Sequence, residues 1–329
     1  MGSRSTRGRL GAPDLRSLRQ LEGWYCRAPS AHNTQPWLLD YSEDCIRLRF
    51  DQARHLAVGD PTQRDLLLGL GAFVEAVLIA SAAERIPLAY ETTFTGDEVG
   101  AFVVAERLYE TPFTLDDLDR RGTSRLGYRP GRLPRPVLDA ARTRLEPRER
   151  LHELPARELL PLFVAADRHM YESPATMREL RRWLRLSKRH PDYYRDGLTY
   201  DCLDLSALEA RLLGLLLRPR VYRLVRATRV HRAFTADSKS LLEVDGSVLV
   251  LEREGDDPGA ILCGGRSLMR VWLELSAAGL YTHPLSQVID YDVTERELAT
   301  RLGLVETQRI LCVFRAGTSE RPPRSHRLV

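Results

Sequence analysis

A helix opened by Asp60-Pro61 and running to about Ala83 is apolar nearly all the way round, through Leu66, Leu67, Leu68, Leu70, Phe73, Val74, Val77 and Leu78. Asp60 is a good N-cap and Pro61 suits a first turn. A helix without a polar face must be enclosed, so the rest of the chain has to wrap it. The chain also carries an echo of it. Gly71–Ala83 aligns with Gly265–Ala277, sharing a Gly, a Val and an Ala and keeping the apolar register. A strand is predicted after each copy, at 101–109 and at Arg309–Arg315. Two amphipathic helices share register by chance, so coincidence and duplication both stay open. Duplication implies two related lobes fused as a pseudo-dimer, with one site between them.

The 329 residues suffice for two lobes with real cores, since 43% are hydrophobic. The chain has no run of 18 apolar residues, so no membrane span is expected. Met1–Thr6 lacks the apolar stretch of a secretory signal, and 1–12 reads as a disordered leader. Five cysteines without a C-x-x-C suit a reducing cytoplasm. The expected division is a leader at 1–12, a first lobe at 13–112 and a second lobe at 113–329. A helix at 13–27 is spaced for one apolar face by Leu15, Leu18, Leu21 and Trp24, and a strand is read at 45–50. Within the second lobe, 165–232 is helical in tendency and Arg-rich. From 178 to 232 it holds 14 Lys/Arg against 6 Asp/Glu, with Tyr193, Tyr194 and Tyr200 around an Asp196-Gly197 turn. It reads as a solvated insertion or as a lid over an anionic ligand. A net charge of +4 and the lack of any nucleic-acid motif argue against nucleic acid as partner.

Chemistry concentrates in four places. Ala28–Trp37 holds two prolines, which stiffen it, and Ser30, Asn33, Thr34 and Gln35 offer hydrogen bonds from that rigid loop. Arg120-Arg121-Gly122-Thr123-Ser124-Arg125 sets cationic forks beside hydroxyls, a combination suited to phosphate. The C-terminal Pro322–Arg327 follows a strand and brings Arg324 and Arg327. Gly279 stops a helix whose apolar face is Leu268, Val271, Trp272 and Leu275, and the loop beyond it carries His283, Pro284, Leu285 and Ser286. No His-Glu-x-x-His, paired Cys/His spacing, Walker loop or Gly-x-Ser-x-Gly elbow occurs, so no metal is expected and no side chain stands out as a nucleophile.

The string Pro29-Ser30-Ala31-His32-Asn33-Thr34-Gln35-Pro36-Trp37 closely resembles the Pro-Ser-x-x-Asn-x-Gln-Pro-Trp motif of the nitroreductase superfamily. Arg121, Thr123 and Arg125 resemble its Arg-x-Ser-x-Lys/Arg phosphate motif, with Thr for Ser. The strand, Gly and basic tail at the C-terminus are similar to the family's ending. Length, paired lobes and insertion resemble a fused subfamily in which one chain supplies both halves of the usual dimer.

The resemblance implies an α+β fold of two helix-covered β-sheets and FMN as cofactor. Ser30, Asn33 and Gln35 would contact it from the first lobe. Arg121, Thr123, Arg125, Arg327 and Arg324 would hold its phosphate. Pro284, Leu285 and Ser286 would line the ring, with hydride passing at flavin N5 beside Ser286 and His283 relaying protons. Many relatives have Glu-Gly where Leu285 and Ser286 stand. The implied function is an FMN-dependent oxidoreductase on a small organic molecule, in a biosynthetic pathway or otherwise, with NAD(P)H as an electron donor. The alternative is a flavin store closed by the insertion. A further homodimer stays open.

Overall fold

The computed structural model describes residues 15–227 and 242–328; the leader read at 1–12 and residues 228–232 lie outside them. Lobe one opens with a 3₁₀ turn, Leu15–Leu21, and the short α1, Glu22–Tyr25. One helix was expected over 13–27. The leucines at 15, 18 and 21 instead recur every third residue, which stacks them on one buried face of a 3₁₀ turn. Then come β1 (Trp37–Tyr41), β2 (Cys45–Phe50), α2 (Arg64–Ala83), β3 (Leu88–Thr95) and β4 (Glu98–Val104). The strand read at 101–109 ends at Val104, opposite Leu88. Its partner strand gives way there to Pro87, which has no N–H for the ladder.

α3 (Leu115–Arg120) and α4 (Arg135–Arg142) lead into lobe two. It contains β5 (Glu149–Pro155) and α5 (Ala156–Glu172), then α6 (Pro174–Trp183), the two-residue strands β6 (Leu184–Arg185) and β7 (Leu198–Thr199), α7 (Ala207–Leu216) and α8 (Pro219–Ala227). After these come β8 (Ser247–Glu254), α9 (Pro258–Ala277), β9 (Tyr281–Pro284), α10 (Gln287–Asp290), α11 (Asp292–Leu302) and β10 (Gln308–Gly317).

The two lobes share one topology. Lobe one is a four-stranded antiparallel sheet ordered β1-β2-β4-β3, and lobe two is ordered β5-β8-β10-β9. In each, a long helix follows the second strand. α2 and α9 have twenty residues each, and Gly71 and Gly265 are the eighth residue of their helices. A Cβ on Gly71 would lie 2.0 Å from the Leu262 carbonyl oxygen, and one on Gly265 2.3 Å from that of Leu68. Each glycine therefore meets the residue three before the other, a relation that a two-fold axis through the crossing produces. The helices also exchange core. Leu262, Met269 and Leu273 pack into lobe one, while Leu68 packs into lobe two. By length and apolarity alone α2 would suffice to cross a membrane, but it is the buried centre of the molecule.

The symmetry fixes the place of the insertion. In lobe one, β1 turns directly into β2 through 42–44, where the Ser42 hydroxyl accepts from the Cys45 amide. In lobe two, residues 156–246 fill that gap. α5 belongs to the lobe itself, because Leu159, Leu162 and Phe163 sit in its core. The segment read as starting at 165 thus begins inside a structural helix, and the part that departs from the lobe starts at Ser173. α6 to α8 have their own small core of Met177, Leu184, Leu198, Leu217 and Tyr222.

Candidate functional site

The loop from Pro29 to Pro36 lies at the start of the first sheet and against α2; a Cβ on Gly69 would touch Pro29 and Ser30 at 3.5–3.7 Å. Three of its non-glycine residues adopt left-handed backbone: His32 (φ 48°), Asn33 (φ 55°) and Gln35 (φ 51°). Such residues are strained and cluster at functional sites. The Ser30 hydroxyl accepts from the Gln35 amide at 2.9 Å. The side chains of Asn33 and Gln35 are fully engaged. Asn33 Nδ2 donates to the carbonyls of Gly197 (3.2 Å) and His326 (3.1 Å), and its Oδ1 accepts from Arg327 Nη1 (2.9 Å). Gln35 Nε2 donates to the Arg195 carbonyl (3.0 Å), and its Oε1 accepts from the Leu328 amide (2.9 Å). Both amides therefore read the insertion and the C-terminal tail.

Beside this loop is a group of arginines with almost no countercharge. Arg27 and Arg121 are buried. Arg121 Nη2 donates to the Arg27 carbonyl at 2.7 Å, while its Nε and Nη1 are buried without a partner, as is Arg27 Nε. Burial, reinforced by Arg27, pulls Arg121 down to about 9. Arg125 is half-buried and has no ion pair with any described residue; burial lowers it too. The segment is aimed by β9, since Thr123 bridges Thr282 and the Ser124 amide donates to the Thr282 carbonyl at 3.0 Å. Arg327 is held differently. Its guanidinium donates to the carbonyls of Cys26 (2.5 Å) and Arg27 (3.2 Å), at the carbonyl end of α1. Arg324 is exposed at the rim and pairs with Asp119.

The third wall comes from lobe two. Leu285 is buried and its amide donates to the Val313 carbonyl at 2.7 Å. Ser286, half-buried and preceding α10, has an amide without a partner among the described residues. Pro284 ends β9, paired with Phe314. His283 pairs in register with Arg315, and its Nδ1 is buried without a partner. Burial, with Arg125 and Arg315 nearby, holds His283 well below the usual imidazole range, so it is neutral at pH 7. Its unpartnered Nδ1 is open to a hydrogen bond, but the site disfavours the imidazolium form.

Two cations here were not singled out in the sequence. Arg27 directly precedes the loop motif, and its place there was the available signal. Arg315 is 1% exposed, with Nε and Nη1 unpartnered and its guanidinium 4.7 Å above the Tyr128 ring. In sequence it only closes the apolar run Ile310–Phe314, which gave no sign of that role.

A buried cation without a carboxylate is costly unless an anion completes it. Arg121 with two unpartnered nitrogens, Arg125 and the Thr123 hydroxyl make a donor set for a phosphate monoester. The residues present fit the phosphate of FMN on that ground. The pseudo-symmetric position is different. There the loop before β5 contains no left-handed residue, and ion pairs fill it: Arg270–Glu146 (2.8 Å), Arg144–Glu274 (2.9 Å) and Arg266 on buried Glu75 (3.0 Å).

No family model matches the chain. It is similar along nearly its whole length to a Mycobacterium tuberculosis protein named "Putative NAD(P)H nitroreductase acg", with 26% identity over 312 residues, 91% of this chain and 88% of that protein. Similar solved structures include a nitroreductase with bound FMN from Bacteroides fragilis, 13% identical over 65% of this chain and 93% of that one, with a TM-score of 0.39. Another is the FMN-dependent nitroreductase NfnB from Mycobacterium smegmatis in complex with NADPH, 17% identical over 64% and 94%, with a TM-score of 0.37.

Proposed function

We propose that this chain is an FMN-dependent oxidoreductase of the nitroreductase type, holding one FMN per chain between its lobes and acting on a small organic molecule. The observation that carries this reading is Arg121, buried, with two nitrogens unpartnered and no ion pair to a carboxylate among the described residues. When bound, the flavin supplies hydride chemistry that no side chain here provides.

The chain's own residues bind and orient. Arg121, Thr123 and Arg125 receive the phosphate. Arg327 acts one step back, tying Asn33 to the end of α1 and so fixing the strained loop. Ser30 and the loop backbone face the cofactor, because the Asn33 and Gln35 amides are already engaged. On the lobe-two side Leu285 contributes apolar wall, and the Ser286 amide is the donor left for the ring edge. Neutral His283 offers Nδ1 for a hydrogen bond and not for net protonation. NADH or NADPH is the proposed electron donor. The closed pseudo-symmetric position supports a single site per chain. A second reading, a flavin store, is favoured by the docking of the insertion directly onto the Pro29–Pro36 loop.

The test is reconstitution with FMN followed by absorption and fluorescence titration. One equivalent should bind and turn the protein yellow. Arg121→Ala should weaken binding about 10- to 150-fold, the loss of one charge-assisted contact of roughly 1.5–3 kcal/mol. A protein that takes up no FMN rejects the reading.

A further inference from the structure

The left-handed residues of the loop need something to hold them, since strained backbone persists only where its surroundings over-determine it. Two segments do so. One is the C-terminal tail, described above. The other is a three-residue stretch of the insertion, Arg195-Asp196-Gly197. Asn33 and Gly197 exchange two hydrogen bonds: the Gly197 amide donates to the Asn33 carbonyl, and Asn33 Nδ2 donates to the Gly197 carbonyl, both at 3.2 Å. Gly197 is itself left-handed (φ 74°), and a Cβ there would lie 2.5 Å from the Trp183 carbonyl oxygen. Between these bonds sits Asp196, 4% exposed. Its Oδ1 accepts from Arg185 Nε (3.1 Å) and Nη2 (2.5 Å), and its Oδ2 from Arg54 Nη1 (2.9 Å). The same Arg54 nitrogen donates to the Thr34 carbonyl at 2.7 Å. One buried carboxylate thus links a cation of the insertion, a cation of lobe one and the backbone of the strained loop. A second clasp lies nearby, where Glu179 of α6 accepts from the amides of Val58 (3.0 Å) and Gly59 (2.7 Å).

We propose that Asp196 is a positioning residue for the cofactor site: through Arg54 and the Asn33–Gly197 pair, the docked insertion holds the Pro29–Pro36 loop in the shape that receives the flavin. The insertion is then a constituent of the site, and undocking it weakens cofactor binding as well as opening the ring to solvent. This inference rests on the FMN reading, and its experiment separates the two.

The full chain carrying Asp196→Asn, a near-isostere without the charge, is titrated with FMN. The dissociation constant should rise at least about 10-fold, as for loss of a charge-assisted contact, and iodide should quench the remaining bound flavin more readily. Glu274→Gln, which breaks the Arg144 pair on the opposite side of the pseudo-axis, should leave the affinity unchanged. A cycle with Asn33→Ala should be strongly non-additive, because both substitutions release the same loop. Wild-type affinity in D196N, or an additive cycle, overturns the proposal. In the cofactor-free protein, trypsin should cut after Arg195 faster in D196N than in wild type or E274Q; equal cutting also overturns it. This readout stands even if wild type binds no FMN, an outcome that removes only the parent reading. Should D196N fail to fold, Arg54→Lys keeps the charge and loses the fork that serves both Asp196 and Thr34, and the same titration applies.

Discussion

Alanine at Gly71 sets two effects of opposite sign against each other. In a helix interior Gly→Ala is normally stabilising by about 1 kcal/mol. Here the new Cβ would stand 2.0 Å from the Leu262 carbonyl oxygen and 2.9 Å from Gly265 Cα. Both are backbone atoms of the facing helix, so no rotamer change relieves the overlap. Reaching ordinary contact of about 3.4 Å requires α2 and α9 to part by about 1 Å or more, loosening the apolar layers on both sides of the crossing. Overpacking of this kind costs about 1–3 kcal/mol and more where the neighbour is fixed. Once the helix gain of about 1 kcal/mol is subtracted, the expected net effect is a destabilisation of about 2 kcal/mol, because the clash is with fixed backbone. Gly69 is the control. It sits in the same helix, but its Cβ would meet Pro29 and Ser30 only at 3.5–3.7 Å, so Gly69→Ala should be neutral or stabilising. Urea unfolding followed by far-UV circular dichroism reads both. Gly265→Ala should behave as Gly71→Ala does, because its Cβ lies 2.3 Å from the Leu68 carbonyl oxygen. The double variant should cost less than the sum, since one separation accommodates both methyls. A G71A protein as stable as G69A would refute the close crossing and the pseudo-two-fold relation drawn from it.

Three further outcomes are expected. FMN titration should saturate at one equivalent per chain, and Glu75→Gln, on the pseudo-symmetric side, should not create a second site; two equivalents in the unmodified chain would contradict the closed position. Asp60 is 4% exposed with Oδ1 unpartnered, and burial together with Asp65 raises it to about 6 from an ordinary 3.8. The folded state then holds this proton to higher pH than the unfolded one, so the stabilisation is full below pH 3.8 and lost as pH rises through 6. Asp60→Asn, keeping an acceptor for the Leu66 amide, should gain about 3 kcal/mol on wild type between pH 4 and 7; parallel pH profiles of urea midpoints would reject this. In anaerobic stopped-flow, reduction of the bound flavin by NADH or NADPH should be slow while the insertion is docked and faster in D196N. Rapid reduction of the unmodified protein would show that the insertion does not limit access.

The duplication was legible as a shared glycine and an apolar register, and the structure explains why only that much survived in sequence. Backbone contact between α2 and α9 tolerates no side chain at Gly71 or Gly265, whereas the residues around them need only be apolar and of suitable size. The strands β1, β3, β5 and β8 were harder to see. β8 is buried throughout Ser247–Glu252, so it lacks the alternation that marks a half-exposed strand. In the site, the loop motif and the Arg121–Arg125 segment were visible because their residue types are unusual in combination. Asp196 was seen only as half of a turn dipeptide, since its role depends on Arg54, 142 positions away. The positions of Asn33 and Gln35 were read from the motif, but not the destination of their amides, which lies in the tail and the insertion. That destination also accounts for the division of labour between the halves. The lobe-one loop is strained and must be held from outside. A segment placed where lobe one has only a three-residue hairpin turn reaches across to hold it. The equivalent loop before β5 is unstrained and tied down by its own arginine–glutamate pairs, so it needs no such support and leaves no opening to fill.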